Sequence, residues 1–454
     1  MIHCIRLDHD PDFLALHRAH PAEFPVLLET TAEGDSRAGW DILFAYPQRS
    51  LLAYADRVEF SDGTRASGDF LSVLGRWFAG ERRGESPSPW PFAGGWFLYL
   101  GYEMAREIEP RLALTLPPIT QPIACAMRVP AALLRDRGTG AVYAVAEASA
   151  TALLDRLRAA VDTDVTPFAR ELFTAPTPVH EEDPARFLEG VARIKNYIDA
   201  GDVFQVNLSR LWQGTLQSGV TPADVYRRLR NANPAPFSGV AMMPGLALAS
   251  SSPERLVCVR DGWVETRPIA GTRPRGTSAA DDVAQWQALL RHPKERAEHI
   301  MLIDLERNDL GRVCQVGTVE VNEQMVVESY RHVHHIVSNV RGRLRADVSP
   351  DEVIRAVFPG GTITGCPKVR CMEIIAELEQ APRGPYTGAM GYLKSNGEMD
   401  LNILIRTAWF RDQQWFVRAG AGIVADSIAE AELTETRAKA RGVLSAFGVE
   451  AKHG

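Results

Sequence analysis

Cysteine is scarce in this chain of 454 residues: there are six, and no two of them are spaced as Cys-x-x-Cys. The sequence therefore offers neither a zinc site built on paired cysteines nor a disulfide framework, and it fits a reducing compartment. No apolar run reaches the length that spans a bilayer. The first ten residues are too polar for a signal peptide. We therefore expect a cytoplasmic protein that does not associate with a membrane.

An excess of basic charge is also absent. The chain has 50 Lys and Arg against 57 Asp and Glu, a formal net charge of -7. General affinity for nucleic acid is not expected, and an anionic substrate would need a local basic pocket. The hydrophobic content of 45% and charged content of 24% are ordinary for a globular protein. The length is sufficient for a large core or two subdomains.

Two pairs of glutamates have helical spacing. Glu295 and Glu298 form the first pair, and Glu432 and Glu435, followed by Lys439, form the second. Residues three or four apart share one helix face, where like charges repel unless a cation lies between them. A hard ion with oxygen ligands, such as Mg²⁺, would relieve that repulsion. The alternative is two solvated helix faces.

The order of predicted elements indicates the fold class. Residues 1–165 alternate short strand-like runs with turns, residues 166–183 are predicted to be a connector, and residues 184–454 form the larger part. Asp183 and Pro184 are typical of a helix start. Strands and helices then follow in mixed order rather than as βαβ units, which predicts α+β with large antiparallel sheets.

Two glycine-containing motifs invite a nucleotide-binding interpretation that their context disfavours. Gly420 and Gly422 lie too near the end of the chain for a dinucleotide fold, but glycines there would let the backbone approach an anion closely. The segment 358–368 has its Lys misplaced for a phosphate loop. It is either a turn that precedes a helix or a contributor of Thr362 to a site.

Isolated polar residues give weaker signals. Of His332, His334 and His335 on a predicted strand, period two puts the first two on one face, so His335 faces the other way. An inward-facing histidine could act as acid, base or hydrogen-bond donor. Glu254 lies at a junction between two strands, where an exposed turn glutamate is the ordinary alternative.

Taken together, several segments resemble the chorismate-utilising enzymes, which include anthranilate synthase, aminodeoxychorismate synthase, isochorismate synthase and salicylate synthase. The resemblance covers nearly all of residues 184–447. The segments that carry it are Gly201-Asp-Val-Phe-Gln-Val-Asn-Leu-Ser209, Ser252-Pro-Glu254, Arg267-Pro-Ile-Ala-Gly-Thr272, Arg296-Ala-Glu-His299, His335-Ile-Val-Ser338, Thr362-Ile-Thr-Gly365 and Ala419-Gly-Ala-Gly-Ile-Val424.

The resemblance implies an anthranilate-synthase-like fold, in which two large antiparallel sheets pack as a sandwich with helices outside. It also implies Mg²⁺ bound directly by Glu298 and Glu435 and through water by Glu295 and Glu432. The ion would anchor the ring carboxylate of chorismate. Arg406 would bind the enolpyruvyl carboxylate, with Tyr386 and the backbone of Gly420 and Gly422. The other implied site residues are Glu254 as general acid, His335 beside the ring, Lys439 beside the metal, and Ala270, Gly271, Thr272 and Thr362.

Gln205 narrows the reaction that the resemblance implies. Isochorismate and salicylate synthases have Lys at the corresponding position, and that Lys activates water. A neutral amide cannot take a proton at neutral pH, so ammonia is the expected nucleophile. The chain shows no amidotransferase signature. We therefore expect a separate glutamine amidotransferase subunit as the source of ammonia.

Within the family, this sequence has features of two different ammonia-using enzymes. Five segments look like aminodeoxychorismate synthase component I: Trp40-Asp-Ile42, the segment with Asn207, Ala235-Pro-Phe-Ser238, Ser-Pro-Glu-Arg255 and Phe358-Pro-Gly-Gly361. Ala270 favours anthranilate synthase, because many aminodeoxychorismate synthases have a nucleophilic Lys there. The five segments favour aminodeoxychorismate synthase component I, and anthranilate synthase remains the alternative.

The segment Leu27-Leu-Glu29-Thr30 resembles a stretch that helps to bind tryptophan in this family. A tryptophan pocket involving Glu29 and Thr30 is therefore possible, and an ordinary core strand is an equally good interpretation. A non-catalytic homologue that binds tryptophan or a partner is a further alternative. The retained acidic residues, Glu254, His335 and Arg406 argue against it, because an inactive site would not keep costly buried charge.

Overall fold

The structure is a computed structural model that describes residues 2–32, 39–82, 89–163, 168, 178–329 and 333–448. His332 and most of the predicted connector at residues 166–183 lie outside the described residues. No helix in the described part is both long enough and apolar enough to cross a membrane.

The helices of the described part are α1 Phe13–Ala19, α2 Phe70–Glu81, α3 Ala105–Ile108, α4 Ala152–Val161, α5 Pro184–Asp199, α6 Pro222–Ala232, α7 Ala279–Arg291, α8 Pro293–Gly311, α9 Pro350–Val357, α10 Lys368–Glu379 and α11 Ala429–Leu444. The strands are β1 Ile2–Leu7, β2 Val26–Glu29, β3 Trp40–Ala45, β4 Ser50–Ala53, β5 Val58–Phe60, β6 Gly95–Leu100, β7 Ala124–Val129, β8 Ala131–Asp136, β9 Val142–Glu147, β10 His180–Glu181, β11 Gln205–Thr215, β12 Phe237–Met243, β13 Leu246–Ser252, β14 Arg255–Arg260, β15 Trp263–Arg267, β16 Ile269–Pro274, β17 Glu320–Ser329, β18 Val333–Arg343, β19 Gly365–Cys366, β20 Ala389–Lys394, β21 Met399–Ile403, β22 Thr407–Arg411 and β23 Gln414–Ile423.

These strands form two large antiparallel sheets. The first has the order β1-β9-β8-β3-β2-β12-β13-β22-β23-β11-β10, with β19 paired to β11. The second has the order β16-β18-β15-β14-β21-β20-β6-β7-β4-β5, with β17 paired to β18. Residues of both sheets, among them Phe44 and Leu248 from the first and Phe97 and Tyr392 from the second, pack in one buried cluster. The predicted α+β sandwich is confirmed.

Helices cover the outer faces of the sandwich. α6 and α11 bury Tyr226 and Val443 in a cluster with strands of the first sheet. α2 and α9 bury Phe70 and Ile354 in a cluster with strands of the second sheet. Apolar side chains lie on both faces of the sheets, which explains why many strands read as continuous apolar runs.

Both sheets combine strands from the two parts of the chain that the sequence separates. β2 pairs with β12, where Leu27 faces Val240, and β6 pairs with β20, where Leu98 faces Gly391. The division into residues 1–165 and 184–454 stays a prediction, and the sheets extend across it.

Local signals determine several boundaries. Asp183 accepts a hydrogen bond from the Ala185 amide at the start of α5, as the capping pattern predicts. The largely apolar run Met399–Trp409 has the composition of one strand, but it divides between β21 and β22. Arg406, between them, has φ +51°, a left-handed conformation that no strand can continue through.

Candidate active site

Two glycines of β23 lie directly against polar side chains at the candidate site. Gly420 pairs with Ser209 of β11, and Gly422 pairs with Asn207. A Cβ atom on Gly420 would lie 2.7 Å from both Asn207 Oδ1 and Tyr386 Oη, and one on Gly422 would overlap Gln205 Nε2. A side chain at Gly420 would also meet the Leu208 carbonyl at 2.7 Å, and one at Gly422 would have to displace the Gln205 amide. The close approach of a ligand to this backbone stays a prediction.

Glu298 reaches this stretch of backbone from α8. The amide Nε2 of Gln205 donates to Glu298 Oε1 at 2.9 Å and so joins β11 to α8. Glu295, one turn earlier, lies 3.5 Å from Arg273 Nη1. Gly271 has φ +71°, and a Cβ there would lie 2.8 Å from Glu295 Oε2, so β16 also lies against this helix. The first glutamate pair thus faces the site rather than open solvent.

The second glutamate pair approaches from α11. Lys439 Nζ donates to the Gly420 carbonyl at 3.1 Å and lies 2.7 Å from Glu435 Oε1. The side chains of Glu435 and Lys439 are 49% and 45% exposed, so they lie at the mouth of the site. Within the described residues the Glu432 side chain makes no hydrogen bond or ion pair.

The carboxylates offer the oxygen ligands that Mg²⁺ prefers, but they are not gathered into a closed site. Among the described residues no three His, Cys, Asp or Glu side chains come together closely enough to hold a metal ion. Instead Glu298 bonds to Gln205, Glu295 to Arg273 and Glu435 to Lys439. Direct ligation by Glu298 and Glu435 stays a prediction.

Glu254 lies in the short connection between β13 and β14 and is 5% exposed. Burial raises the pKa of its carboxyl group to about 7, and Thr362, the Ile269 amide, Arg406 and Lys439 oppose that shift. Neither Glu254 Oε1 nor Thr362 Oγ1 has a hydrogen-bond partner of ordinary geometry within the described chain. A buried carboxylic acid with an unpaired oxygen can hold a proton at neutral pH and donate it.

Arg406 and His335 stand beside this acid. Burial lowers the pKa of Arg406, and the nearby Glu254 opposes the shift. Burial and then the charge of Arg406 lower the pKa of His335 to about 4. Oγ1 of Thr272 lies 2.9 Å from His335 Nδ1. His335 is therefore neutral at physiological pH, and the partly buried guanidinium of Arg406 offers a binding site for an anion.

The other histidine of this strand has a different environment. His334 faces the opposite side of β18, where its ring nitrogens contact Ser329 Oγ at 2.7 Å and Asp282 Oδ1 at 2.9 Å.

Tyr386 is buried, and burial raises its pKa to about 12. Its hydroxyl therefore stays a neutral donor above Gly420.

Glu306 is a buried acidic residue near the site that the sequence analysis did not identify. Burial, followed by the charge of Asp309, raises the pKa of Glu306 to about 8. Its Oε1 lies 3.3 Å from where a Cβ of Gly361 would be, next to Thr362. Lys368 forms an ion pair with Asp309. Helical spacing from Glu298 through positions 302, 306 and 309 is the signal that could have identified this face.

Glu29 and Thr30 lie elsewhere, at a cavity of about 460 Å³ between the sheets. Glu29 accepts hydrogen bonds from Tyr226 Oη at 2.7 Å and Arg230 Nη1 at 3.1 Å. Thr30 Oγ1 donates to the Pro236 carbonyl at 3.1 Å. Pro253 and Ile269 line this cavity, and each is the chain neighbour of a predicted site residue, Glu254 and Ala270 respectively.

Comparison with known proteins decides the family. A model of the chorismate binding enzymes matches residues 26–445. The chain belongs to the chorismate binding enzyme family.

The relatives of this chorismate-binding enzyme carry two names. Aminodeoxychorismate synthase component 1 of Bacillus subtilis is 38% identical over 436 residues, which cover 91% of this chain and 90% of the relative. Anthranilate synthase component 1 of Pseudomonas aeruginosa is 39% identical over 451 residues, covering 93% and 90%. The crystal structure of anthranilate synthase component I from Streptococcus pneumoniae superposes with a TM-score of 0.82 at 31% identity, covering 91% of this chain and 93% of that one. The protein is a chorismate-utilising enzyme of one of these two types.

Proposed function

We propose that this protein is aminodeoxychorismate synthase component I, which converts chorismate and ammonia to 4-amino-4-deoxychorismate and water. The observation that carries the choice of ammonia is the Gln205 amide, fixed by its bond to Glu298. An amide has no basic nitrogen that could deprotonate water at neutral pH. Ammonia, which already has a free lone pair, needs no such base.

The identity of the product rests on Asn207 and the four further segments that resemble aminodeoxychorismate synthase. Asn207 Oδ1 lies over Gly420 in the site, where anthranilate synthases usually have Val. Ala270 is 6% exposed and cannot supply a nucleophilic amine. The reaction therefore proceeds without a lysine adduct in this proposal, with ammonia or water as the transient nucleophile at C2.

The chain supplies a proton donor and an anion-binding group for the reaction. Glu254 protonates the C4 hydroxyl, which leaves as water while the transient nucleophile adds at C2. Ammonia then forms the new C–N bond at C4 with its lone pair, and the nucleophile leaves C2. The amine then loses a proton, which restores Glu254. Arg406 binds the enolpyruvyl carboxylate, aided by the hydroxyl of Tyr386 and the backbone at Gly420 and Gly422. His335 lies alongside the ring as a neutral imidazole.

Magnesium is part of the proposal. Glu298 and Glu435 would hold the ion directly, with Glu295 and Glu432 acting through water, and Lys439 beside them. When bound, the ion would supply positive charge for the ring carboxylate of chorismate. It would also relieve the repulsion between the two acidic helix faces.

Two further ligands belong to the proposal. The name "component 1" of the relatives supports a separate glutamine amidotransferase subunit as the source of ammonia. Tryptophan is proposed for the cavity at Glu29 and Thr30, whose volume of about 460 Å³ suits a ligand of that size. In this assignment the bound amino acid would have a structural role.

The second candidate function is anthranilate synthase component I, favoured by Ala270. One experiment separates the two: the purified chain is incubated with chorismate, MgCl₂ and an ammonium salt, and aminodeoxychorismate lyase is then added. Formation of para-aminobenzoate supports the proposal. Anthranilate fluorescence without para-aminobenzoate would reject it in favour of anthranilate synthase, and absence of any turnover would favour a non-catalytic homologue.

A further inference from the structure

Arg383, in the connection between α10 and β20, forms a buried ion pair next to the candidate site. It is 1% exposed, and it donates to both carboxylate oxygens of Glu379, from Nη2 at 2.7 Å and from Nε at 3.0 Å. Burial alone would raise the pKa of Glu379, but the charges of Arg383 and Arg418 hold it below its ordinary value, so the carboxyl group is ionised. Desolvation of two charges offsets much of their attraction. The pair is therefore better explained by its other contacts than by stability alone.

The first of these contacts is with the open edge of β11. β19 pairs with the start of this edge and β10 pairs near its end. Between them, the Asn207 carbonyl accepts from Arg383 Nη2 at 2.7 Å, and the Ser209 amide donates to Glu379 Oε1 at 2.9 Å. The two side chains thus supply backbone hydrogen bonds that a neighbouring strand usually makes.

The same guanidinium group reaches two further segments. Its Nη1 donates to the Ile363 carbonyl and to Thr387 Oγ1, both at 3.3 Å. Its central carbon lies 5.5 Å from the centre of the Tyr386 ring, which is close enough for cation–π attraction. Arg383 therefore contacts three segments that carry candidate site residues: β11, the turn at Thr362 and the connection at Tyr386.

These segments belong to separate sides of the candidate site. Tyr386 lies against β23, Thr362 lies beside Glu254, and β11 bonds to α8 through the Gln205 amide. They are far apart in the chain, so their spacing depends on tertiary contacts. A planar guanidinium has five donors in fixed directions and can bond to all three segments at once, whereas an ammonium group is a point charge with three donors.

We propose that Arg383, held by Glu379, is a positioning residue for the reaction of chorismate and fixes the separation of these three segments. Arg383 bonds to the edge of β11 that faces away from β23, so it acts through the segments and not by touching the substrate. The inference rests on the proposed function in one respect, namely that chorismate reacts at the candidate site. It does not depend on which ring carbon receives nitrogen.

Arg383→Lys tests the proposal, because it keeps the positive charge beside Glu379 but removes the planar group. We expect kcat for chorismate consumption, with MgCl₂ and a saturating ammonium salt, to fall about 10- to 100-fold, the effect of displacing reacting groups by about 1 Å. The KM for chorismate should change less than about threefold, because Arg406, the proposed binding group for the enolpyruvyl carboxylate, lies in a different turn.

Arg128→Lys is the matched control. Arg128 is 4% exposed and donates to Glu81, to Glu147 and to two backbone carbonyls, none of which belongs to a segment with a catalytic or metal-binding candidate. The control loses a similar set of buried hydrogen bonds, so urea unfolding should show that it is destabilised. Its kcat should nevertheless stay within about twofold of wild type, because the candidate active site is not displaced.

The outcomes are distinguishable. A kcat for Arg383→Lys within about twofold of wild type, or an equal loss in Arg128→Lys, would overturn the positioning role. A raised KM with an unchanged kcat would overturn it as well and assign Arg383 to substrate binding. If circular dichroism shows that Arg383→Lys does not fold, Glu379→Gln replaces it: this variant keeps an oxygen for the Ser209 amide but removes the charge that holds Arg383, and it should show the same loss of kcat.

The wild-type product separates this inference from the proposed function. Anthranilate as the product would reject aminodeoxychorismate synthase and leave the role of Arg383 intact. A wild-type chain that consumes no chorismate would overturn both.

Discussion

The hydroxyl of Thr272 lies 2.9 Å from Nδ1 of His335, and this contact joins the irregular strand β16 to β18 beside Arg406. The strand register shifts between Ala270 and Thr272, where Gly271 has a positive φ. The bulge therefore directs the Thr272 hydroxyl toward the imidazole. Burial keeps that imidazole neutral, because the pKa of His335 is lowered to about 4.

We expect Thr272→Val to lower kcat about tenfold, because the imidazole loses the hydrogen bond that orients it. Thr272→Ser keeps the hydroxyl and should restore most of the rate. Steady-state kinetics at saturating chorismate measure both variants. Because burial lowers the pKa of His335 to about 4, the wild-type rate should show no acid loss centred near pH 6.5 from this residue. Equal rates for the Val and Ser variants would contradict an orienting role.

Glu254 should determine the alkaline limb of the pH profile. A general acid acts only when protonated, so the rate should fall as the pH rises through its pKa of about 7. The measurement is the initial rate from pH 5.5 to 9 at a fixed concentration of free ammonia, so that the nucleophile stays constant. Glu254→Gln should lose at least about 100-fold in kcat, the usual contribution of a general acid. A variant that keeps both its rate and this alkaline limb would show that another group is the acid.

The sequence identified those parts of the site that short motifs carry. Asp183 as a helix cap and His335 facing away from His334 follow from local spacing, and the structure has both. Local spacing also grouped Glu295 with Glu298, which lie on one side of α8 near Arg273 and Gln205. These features depend on helix and strand periodicity, which is independent of the rest of the fold.

Features that depend on distant parts of the chain were not accessible from local patterns. The pairing of β2 with β12 within the first sheet joins residues about 200 positions apart. The left-handed Arg406 interrupts a run that otherwise has the composition of one strand. Glu306 resembles a solvated helix residue in the sequence, and only the fold shows that it is buried next to Gly361.

A side chain at Gly422 should displace the neighbouring Gln205 amide. A Cβ there would overlap Gln205 Nε2, so Gly422→Ala should displace the Gln205 amide from Glu298. We expect kcat/KM for chorismate to fall about 100-fold, because small displacements of positioning groups have effects of this size. Gly80→Ala on α2 is the control, because no atom lies within 4 Å of the added Cβ. It should leave the rate unchanged and stabilise the helix by about 0.5–1 kcal/mol. Equal rates for the two variants would contradict a role for the Gln205 amide, held between Gly422 and Glu298, in positioning the substrate.

Magnesium dependence tests the two acidic helix faces. We expect chelation by EDTA to abolish chorismate turnover and MgCl₂ to restore it. Glu298→Gln and Glu435→Gln should each raise the half-saturating Mg²⁺ concentration at least about tenfold, because a carboxylate ligand is replaced by a neutral amide. Glu430→Gln, exposed in the first turn of the same α11, is the matched control and should bind the ion as wild type does. Turnover that is insensitive to EDTA would eliminate the metal from the proposal.

Glu103 should make the stability of the protein depend on pH. It is 1% exposed, and its Oε1 accepts hydrogen bonds from the amides of Arg383 at 2.7 Å and Gly384 at 3.1 Å. Burial raises its pKa from 4.5 to about 7, opposed by those amides and by the charge of Arg418. Because the folded-state pKa lies above the unfolded-state value, the stabilisation is complete below pH 4.5 and is lost as the pH rises through 7.

Glu103→Gln removes this ionisation and keeps an oxygen that can accept from both amides. Relative to wild type, its free energy of unfolding should increase by about 2–3 kcal/mol between pH 5 and pH 8, since each pKa unit corresponds to about 1.4 kcal/mol. Urea unfolding at the two pH values measures the difference, and Glu430→Gln should show no such change. A constant difference between Glu103→Gln and wild type would mean that Glu103 is ionised in the folded protein throughout this range. In that case Arg418 and the two backbone amides would stabilise the carboxylate more strongly than burial destabilises it.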